Sequence, residues 1–297
     1  MLYEQTTLNC RGTLLDLMSP IVMGVLNTTP DSFFAGSRLE DEKAILSRAE
    51  RMITEGASIL DIGGMSSRPG AAIIDEGEEM RRVLPAVEAV AKAFPTAIIS
   101  IDTIRASVAR AAVEAGAAIV NDISAGSLDN KMFSTVAELG TPYILMHMKA
   151  LPKTMQQAAK YEDVTLEILD FLIEKVGILR GLGVKDIVID TGFGFGKTLE
   201  QNYELLRKLS VFKILDCPIL VGLSRKTMIW KGLDITPETA LNGTTAANML
   251  ALVGGAKILR VHDVKEAVET IKIFNLYNFG QLKQPVRSFS DASRLHI

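Results

Sequence analysis

Eight short apolar runs, each followed directly by a polar residue, constrain the fold of this 297-residue chain more than any other feature. The runs are rich in Val and Ile, are too short for helices and are separated by longer helical patterns, which is typical of parallel strands buried on both faces. Eight strand-helix units close into a (β/α)8 barrel, in which every strand ends at the same face. The pattern therefore predicts one polar mouth, formed by Asn27, Asp61, Asp102, Asn121, Asp122, His147, Asp190, Ser224, Arg225, Lys226, Arg260 and His262.

The connections between the runs predict helices near 41–56, 77–93 and 161–181, the last of them strongly amphipathic. The connections after the first and second strands are long and rich in Gly, Ser, Pro and Phe, which indicates loops that bind a ligand or close over it. The eight strands are predicted near 21–27, 58–62, 98–102, 118–122, 143–147, 187–190, 218–223 and 256–260.

The two ends of the chain are expected to extend the barrel. Arg11-Gly12 lies between two short β-prone pieces, so residues 1–20 are predicted to form a hairpin that closes the bottom of the barrel. Residues from about 279 to 297 are interpreted as a C-terminal tail. Because a barrel of this type takes about 250 residues, the whole chain 1–297 is predicted to be a single domain.

A glycine recurs at the end of a helix before four of the predicted strands, in EGASILDIGG, AGAAIVNDIS, LGTPYILMHM and GGAKILRVHD. Glycine tolerates the left-handed conformation that ends a helix, so this recurrence supports a chain built from repeated units. A doubly wound open sheet uses the same elements and remains the alternative, although it rarely has eight in a row.

Composition narrows the possible partners and surroundings. Hydrophobic residues make up 48% of the chain, and the net charge of −3 lacks the polybasic character that favours nucleic acid or a membrane surface. Cys10 and Cys217 have neither disulfide-framework nor zinc-ligand spacing, which favours a reduced, cytoplasmic setting. No apolar stretch approaches the length of a membrane helix, and the N-terminus lacks a signal-peptide pattern.

Nine blocks of the sequence stand out across about residues 21 to 265. They are MGVLNTTPDSFFAG, DIGGMSSRPG, SIDT, VNDIS, MHMKALPKTMQ, DTGFGFGKT, VGLSRK, GTTAAN and LRVHDV. These blocks resemble those of the dihydropteroate synthase family of the folate pathway, in the order of that family. The resemblance implies a (β/α)8 homodimer that uses Mg²⁺. It also implies that 6-hydroxymethyl-7,8-dihydropterin pyrophosphate is joined to p-aminobenzoate with release of pyrophosphate.

Five positions depart from the usual pattern of that family. Met65 replaces a usual Glu, and Ser67 stands where Thr is common, so both could alter the second loop. None of the five removes a group expected to be catalytic. The other three departures are Ala150, Thr191 and Trp230.

A pterin ring needs acceptors for its amino and ring N–H groups, and Asp102, Asn121 and Asp190 can supply them from three strand ends. If pyrophosphate leaves before the amine attacks, positive charge develops on the pterin, and the Asp102 carboxylate would stabilise it. An Asp at a strand end can instead cap the next helix. Lys226 is expected to reach the pterin carbonyl, and Arg260 to stack on the ring while donating to a phosphate.

The remaining pterin contacts are expected to be apolar or backbone contacts. Gly222 and Phe195 are assigned to the pterin site by the resemblance. Ile123 and Met146 are candidates for the pocket wall, with core packing as an equal alternative. GFGFGKT does not match the nucleotide-binding pattern G-x-x-x-x-G-K-[ST], so its glycines are expected to let the backbone pass close to the pterin, while Lys197 caps the following turn.

Pyrophosphate needs several hydrogen-bond donors. Arginine offers bidentate bonds to phosphate oxygens, while Ser and His add single ones. The amide oxygen of Asn27 is also predicted to bind the Mg²⁺ that the resemblance implies, because this ion is often held by few protein ligands. The predicted pyrophosphate residues are Asn27, Ser66, Ser67, Arg68, Arg260 and His262.

The aminobenzoate needs an apolar slot with a cation at its carboxylate end. Its loops are expected to become fixed only when pyrophosphate is present, so that the pterin substrate binds first. No Ser/His/Asp nucleophile is expected, because the substrate amine attacks. The predicted aminobenzoate residues are Phe33, Phe34, Arg68, Pro69, Ser224 and Lys226.

Two rival functions share the pterin floor. A methyltransferase barrel that passes a methyl group from a reduced folate to a corrinoid protein has no need for the phenylalanine and SRK elements present here. A non-catalytic pterin-binding relative would lack a key group, and none is missing from the motifs. Detection of dihydropteroate as a product separates both from a synthase.

Overall fold

The computed structural model describes residues 5–28, 38–65, 74–149 and 160–280, and within them it confirms the predicted barrel. Eight parallel strands close in the order β10-β3-β4-β5-β6-β7-β8-β9, and β1 and β2 form a separate antiparallel hairpin. The strands are β1 (Thr7–Cys10), β2 (Thr13–Asp16), β3 (Ile21–Asn27), β4 (Ile59–Gly63), β5 (Ile98–Asp102), β6 (Ile119–Asp122), β7 (Tyr143–Met146), β8 (Ile187–Asp190), β9 (Ile219–Val221) and β10 (Ala256–Val261).

Helices connect the strands and cover the outside of the barrel. Two short 3-10 helices, Leu209–Leu215 and Pro237–Thr239, lie in the connections before β9 and after it. The α-helices of the described residues are α1 (Arg38–Glu55), α2 (Glu76–Ala93), α3 (Ala106–Ala115), α4 (Met132–Leu139), α5 (Val164–Gly181), α6 (Leu199–Arg207), α7 (Thr227–Gly232), α8 (Leu241–Gly254) and α9 (Val264–Phe279).

The observed strand bounds agree with the predicted ones to within one or two residues. The helix predicted from residue 161 begins instead at Val164, because the Asp163 side chain accepts hydrogen bonds from the backbone N–H groups of Thr165 and Leu166 and so caps it there. The strand predicted from 218 begins at Ile219, since Pro218 has no N–H to give to a neighbouring strand.

The hairpin closes the bottom of the barrel, as predicted. Leu8, Cys10 and Leu17 are buried against the apolar side chains that point inward from the lower barrel. A second and larger core fills the space between the outer face of the barrel and its helices. The inward set comprises Met23, Ile59, Ala118, Ile119, Ile144, Val188, Leu220 and Ile258.

The structure leaves two sequence predictions untested, the single-domain assignment and the C-terminal tail. The assignment of the entire chain 1–297 to one domain stays a prediction, and residues 281–297 of the proposed tail lie outside the described residues. None of the helices in the described ranges is long and apolar enough to cross a membrane.

Substitution of Leu8 tests whether the hairpin forms part of the core. Leu8→Ala is expected to lower the free energy of unfolding by about 3 kcal/mol, because it removes a fully buried side chain. Leu14→Ala, in the same hairpin but 69% exposed, should change it by less than about 0.5 kcal/mol. Urea unfolding of the two variants provides the comparison, and equal losses would contradict the packing.

Candidate active site

Alternation along each strand decides which polar residues enter the barrel. Asp61 lies two residues after the inward Ile59, and Arg260 lies two residues after the inward Ile258. Asp122 and His147 have the opposite parity from their inward neighbours. Asp122 accepts a hydrogen bond at 2.7 Å from the hydroxyl of Tyr143, which belongs to the outer core. Asp122 and His147 were predicted to line the mouth, but their side chains point away from it. The polar residues that reach the mouth are those that alternate in step with the inward apolar side chains.

Arg260 joins two carboxylates inside the mouth. Its Nε donates to Oδ2 of Asp61 at 2.6 Å, and one of its Nη groups donates to Oδ2 of Asp102 at 2.7 Å. The amide of Asn121 also donates to Oδ2 of Asp61, at 3.1 Å. These contacts bring Asp102, Asn121 and Arg260 together, as the sequence predicted, around a residue that it did not assign to the site.

Asp61 was predicted to lie at the mouth, but the sequence assigned it no binding or catalytic role. Its side chain is fully buried, and its Oδ1 atom has no hydrogen-bond partner among the described residues. The signal that could have identified it is its parity, since it is an acidic residue that faces inward between Ile59 and Gly63 in β4. A buried carboxylate at such a position needs a cationic partner, which Arg260 provides.

Burial raises the pKa of Asp102 above its usual value, and the guanidinium of Arg260 opposes this shift. The carboxylates of Asp61, Glu79 and Asp122 raise the pKa of Asp102 further. Two carboxylates therefore share one guanidinium in a poorly solvated space. Additional positive charge near Asp102 would favour its ionised form.

Lys226 and Asp190 form the second charged group of the mouth. The Lys226 ammonium donates to the carbonyl of Phe193 at 2.6 Å, and the backbone N–H of Gly192 donates to Oδ1 of Asp190 at 2.7 Å. Burial lowers the pKa of Lys226 to about 8, although Asp190 acts in the opposite direction. A Cβ at Gly222 would lie 3.7 Å from the Lys226 ammonium, so this glycine borders the cation.

A small apolar cluster stands apart from the barrel floor and from the outer core. It contains Ile104, Ile123, Met146 and Phe195, with the partly buried Met65 and Met148 against it. The Lys226 ammonium lies 4.9 Å from the centre of the Phe195 ring. This placement favours the wall interpretation of Ile123 and Met146 over the core interpretation, and it adds Ile104 to the predicted set.

One further predicted residue, Asn27, lies at the rim. Asn27 ends β3 and is in register with Gly63, which is itself in register with Asp102. A Cβ at Gly63 would lie 3.2 Å from the Cβ of Asp102, so the Asp102 side chain packs against this glycine. The predicted residues Phe33, Phe34, Ser66, Ser67, Arg68 and Pro69 lie outside the described residues.

Lys197 was expected to cap the turn into α6, but Thr198 is the capping residue. The Lys197 ammonium instead donates to the carbonyls of Gly192 and Phe195, at 2.7 and 3.1 Å, and lies 3.3 Å from Nδ1 of His147. Lys197 therefore holds the glycine-rich turn against the end of β7. Burial lowers the pKa of Lys197 to about 7 and that of His147 to about 3, so His147 is neutral at physiological pH.

Comparisons with known proteins identify the family of this chain. Residues 23–262 match the family model described as pterin binding enzyme, and the chain belongs to that family.

Its relatives in that family are dihydropteroate synthases. The chain is 44% identical to that of Escherichia coli strain K12 over 265 residues, which cover 89% of this chain and 93% of the relative. A Xanthomonas albilineans dihydropteroate synthase structure with 4-aminobenzoic acid is 38% identical, with a TM-score of 0.85, and the match covers 92% of this chain and 98% of that one. The enzyme of the same organism in complex with 7,8-dihydropteroate is 37% identical, with a TM-score of 0.82 and coverage of 91% and 98%.

The pKa of Lys226 predicts a pH dependence of pterin binding. Below about pH 8 the buried amine is a cation and a strong donor, and it loses its charge as pH rises through that value. Pterin affinity should therefore fall above pH 8. Calorimetry between pH 6 and 9.5 on wild type and Lys226→Met would measure it. Parallel pH profiles of the two proteins would contradict a role for the Lys226 charge.

Proposed function

We propose that this protein joins 6-hydroxymethyl-7,8-dihydropterin pyrophosphate to p-aminobenzoate, producing 7,8-dihydropteroate and pyrophosphate. The observation that carries the proposal is the pairing of Arg260 with Asp61 and Asp102 beside an apolar wall inside the barrel mouth. The relatives support it as well, because one is described in complex with 4-aminobenzoic acid and another with 7,8-dihydropteroate.

The pterin ring binds at the inward polar residues. Asn121 uses its amide N–H on Asp61, which leaves its carbonyl oxygen to accept from a ring N–H. Asp190 keeps a carboxylate oxygen for the pterin amino group, since the Gly192 N–H is bonded to the other one. Lys226 donates to the ring carbonyl, and Phe195 with Met146 packs on the ring face.

Bond cleavage develops positive charge next to Asp102. As the bond between the pterin methylene and the leaving oxygen breaks, its electron pair departs with pyrophosphate and a pterin cation remains. The amine of p-aminobenzoate then forms the new C–N bond and loses a proton. The fixed carboxylate of Asp102 lowers the barrier, because it already faces the developing charge when the reaction begins.

Pyrophosphate binds at the rim. Arg260 uses Nε and one Nη on the two carboxylates, so its other Nη group retains two N–H donors for a phosphate oxygen or for stacking on the pterin. Asn27 and His262 add contacts from the ends of β3 and β10, with Ser66, Ser67 and Arg68 proposed from the second loop.

The donor set at Asn27 fits a Mg²⁺ ion that keeps most of its oxygen ligands from phosphate and water. Asn27 offers one neutral amide oxygen at the end of β3. The described residues contain no cluster of three or more His, Cys, Asp or Glu that would enclose a metal. Asn27 would hold the ion, which would neutralise charge on the leaving pyrophosphate.

The aminobenzoate site lies between Ser224 and Lys226 and the first two loops. Ser224 follows β9 at the mouth, and its hydroxyl accepts a hydrogen bond from the backbone N–H of His262 at 3.2 Å. The carboxylate of p-aminobenzoate binds near Ser224, while Phe33, Phe34, Arg68 and Pro69 complete the slot.

We also propose that the protein is a cytoplasmic homodimer. The outer faces of α8 and α9 carry exposed apolar side chains, including Leu250, Val253, Ile273 and Tyr277. An apolar patch of this kind is typical of an interface between subunits. Cys10 and Cys217 are buried free thiols, which agrees with a reducing compartment.

The proposed reaction is tested by incubation with the pterin pyrophosphate, Mg²⁺ and p-aminobenzoate, while pyrophosphate and dihydropteroate are measured. Asp102→Asn should reduce turnover by about 10²-fold or more, with a smaller loss of pterin affinity, because it removes the charge that stabilises the cation. Asp170→Asn, on the exposed face of α5, serves as the control. Absence of dihydropteroate from the wild-type reaction would refute the function, and near-normal turnover of Asp102→Asn would refute only the role of that carboxylate.

The order of binding gives a separate prediction. If Phe33, Arg68 and Pro69 become fixed only when pyrophosphate is present, p-aminobenzoate should bind poorly to the free protein and well to the pyrophosphate complex. Arg68→Ala should remove the enhancement and leave the melting temperature unchanged. Calorimetric titration of p-aminobenzoate, with and without pyrophosphate and Mg²⁺, measures both affinities. Equal affinities in the two conditions would mean that the slot is preformed.

A further inference from the structure

Arg225 lies between two proposed site residues, Ser224 and Lys226, but its own side chain turns to a different set of partners. Its Nε and Nη2 groups each donate to one oxygen of Asp263 at 2.9 Å, forming a bidentate ion pair. Its Nη1 group donates to the carbonyls of Pro237 and Glu238, at 3.1 and 2.8 Å. The guanidinium therefore connects the segment after β9 with the segment after β10.

The backbone of Arg225 is held in an unfavourable conformation. Its φ is 53°, in the left-handed region that favours glycine. Its N–H donates to the hydroxyl of Thr244 at 3.1 Å, which fixes this geometry from α8. Strain of this kind persists only where the surrounding contacts determine it, and it concentrates at functional sites.

Asp263 is diverted from the role that its position favours. It is the residue before α9, where an aspartate side chain normally caps the first turn, yet it makes no capping hydrogen bond. Both carboxylate oxygens are bonded to Arg225 instead. The ion pair thus takes the place of a helix cap, one residue after His262.

A second bond joins the same two segments at the mouth. The hydroxyl of Ser224 accepts from the backbone N–H of His262. Ser224 precedes Arg225 directly, and His262 precedes Asp263 directly. The ion pair and this hydrogen bond therefore fix two neighbouring residues on one segment against two neighbouring residues on the other.

We propose that Arg225 and Asp263 are positioning residues that form the aminobenzoate site at Ser224 and the pyrophosphate site at His262 as one unit. The proposal rests on the proposed function, since it uses these two subsites. Neither residue needs to touch a substrate. Together they hold the two segments so that Ser224 and His262 present their donors in a single arrangement. This arrangement lowers the conformational entropy that is lost when each ligand binds.

Asp263→Asn is the sharpest variant, because Asn caps helices about as well as Asp but cannot form the bidentate ion pair. Calorimetry with inorganic pyrophosphate and with free pterin, together with KM and kcat for p-aminobenzoate, provides the readouts. Asp263→Asn should weaken pyrophosphate binding and raise the KM for p-aminobenzoate by about 5- to 20-fold each, the scale of ordinary coupling between sites. Free pterin affinity should stay within about twofold, because the proposed acceptors of the ring, Asp102, Asn121 and Asp190, lie on β5, β6 and β8.

Matched variants identify the ion pair as the cause. Arg225→Ala should give the same losses, and the double variant should lose no more than either single one, since both changes break one interaction. Arg225→Lys keeps the charge and should recover part of the affinity. Arg81→Ala removes another arginine-carboxylate pair, that with Glu78 on the surface of α2, and should change none of these readouts.

Two results would overturn the proposal. Wild-type behaviour of Asp263→Asn, with losses only in Asp263→Ala, would make Asp263 a helix cap. Equal losses for free pterin and for pyrophosphate would indicate general damage to the barrel. Because pyrophosphate binding does not require turnover, a wild-type protein that binds pyrophosphate but produces no dihydropteroate would refute the proposed reaction without affecting this test.

Discussion

The mouth of the barrel depends on the ion pairs between Arg260 and the carboxylates of Asp61 and Asp102. An isolated charge at such a depth would be poorly solvated, so the guanidinium and the two carboxylates compensate one another. They come from β10, β4 and β5, and Asn121 of β6 bonds to the same oxygen of Asp61. Since β10 and β4 flank β3, the pairing ties the last strand of the barrel to early ones and fixes the polar floor across the seam. Two carboxylates to one guanidinium leave this floor with an excess of negative charge.

That excess is matched to a ligand that becomes positively charged. Burial raises the pKa of Asp102, because a poorly solvated carboxylate is less stable in its ionised form. In the proposed reaction a cation develops beside it and offsets this cost, so stabilisation by Asp102 would be greatest when the leaving group departs. Asp190 and Lys226 have opposite charges, so this pair adds no excess of negative charge to the mouth. One offers hydrogen-bond acceptors and the other donors, which suits binding of a neutral ring that has both.

The eightfold alternation of short apolar runs and helical patterns was sufficient to predict the barrel and most strand bounds, because both signals are local. The predicted roles of Asp102, Asn121, Asp190, Lys226 and Arg260 all fall on residues that reach the mouth. The sequence could not predict which side chains are bonded to partners far away along the chain. Asp61 and Arg260 are 199 positions apart, and the bond of Lys197 to the end of β7 spans 50. The alternation of inward and outward side chains would have distinguished Asp61 from Asp122 and His147. A local pattern cannot show, however, that a buried carboxylate forms an ion pair with an arginine on a distant strand.

The same distinction explains why Arg225 was read as one more polar residue at a strand end. Ser224, Arg225 and Lys226 are adjacent in sequence, but the backbone of Arg225 is left-handed. The side chain of Arg225 therefore points in a different direction from those of its two neighbours. Ser224 and Lys226 are the residues proposed to contact substrates, while Arg225 faces Asp263 across the next strand-helix connection. A barrel whose loops come from separate units needs contacts of this kind, because nothing in a βα unit itself fixes one loop against the next. The Arg225–Asp263 pair connects the loops after β9 and β10, as Arg260 connects β10 with β4 and β5 below them. In both places an arginine brings side chains from separate βα units together.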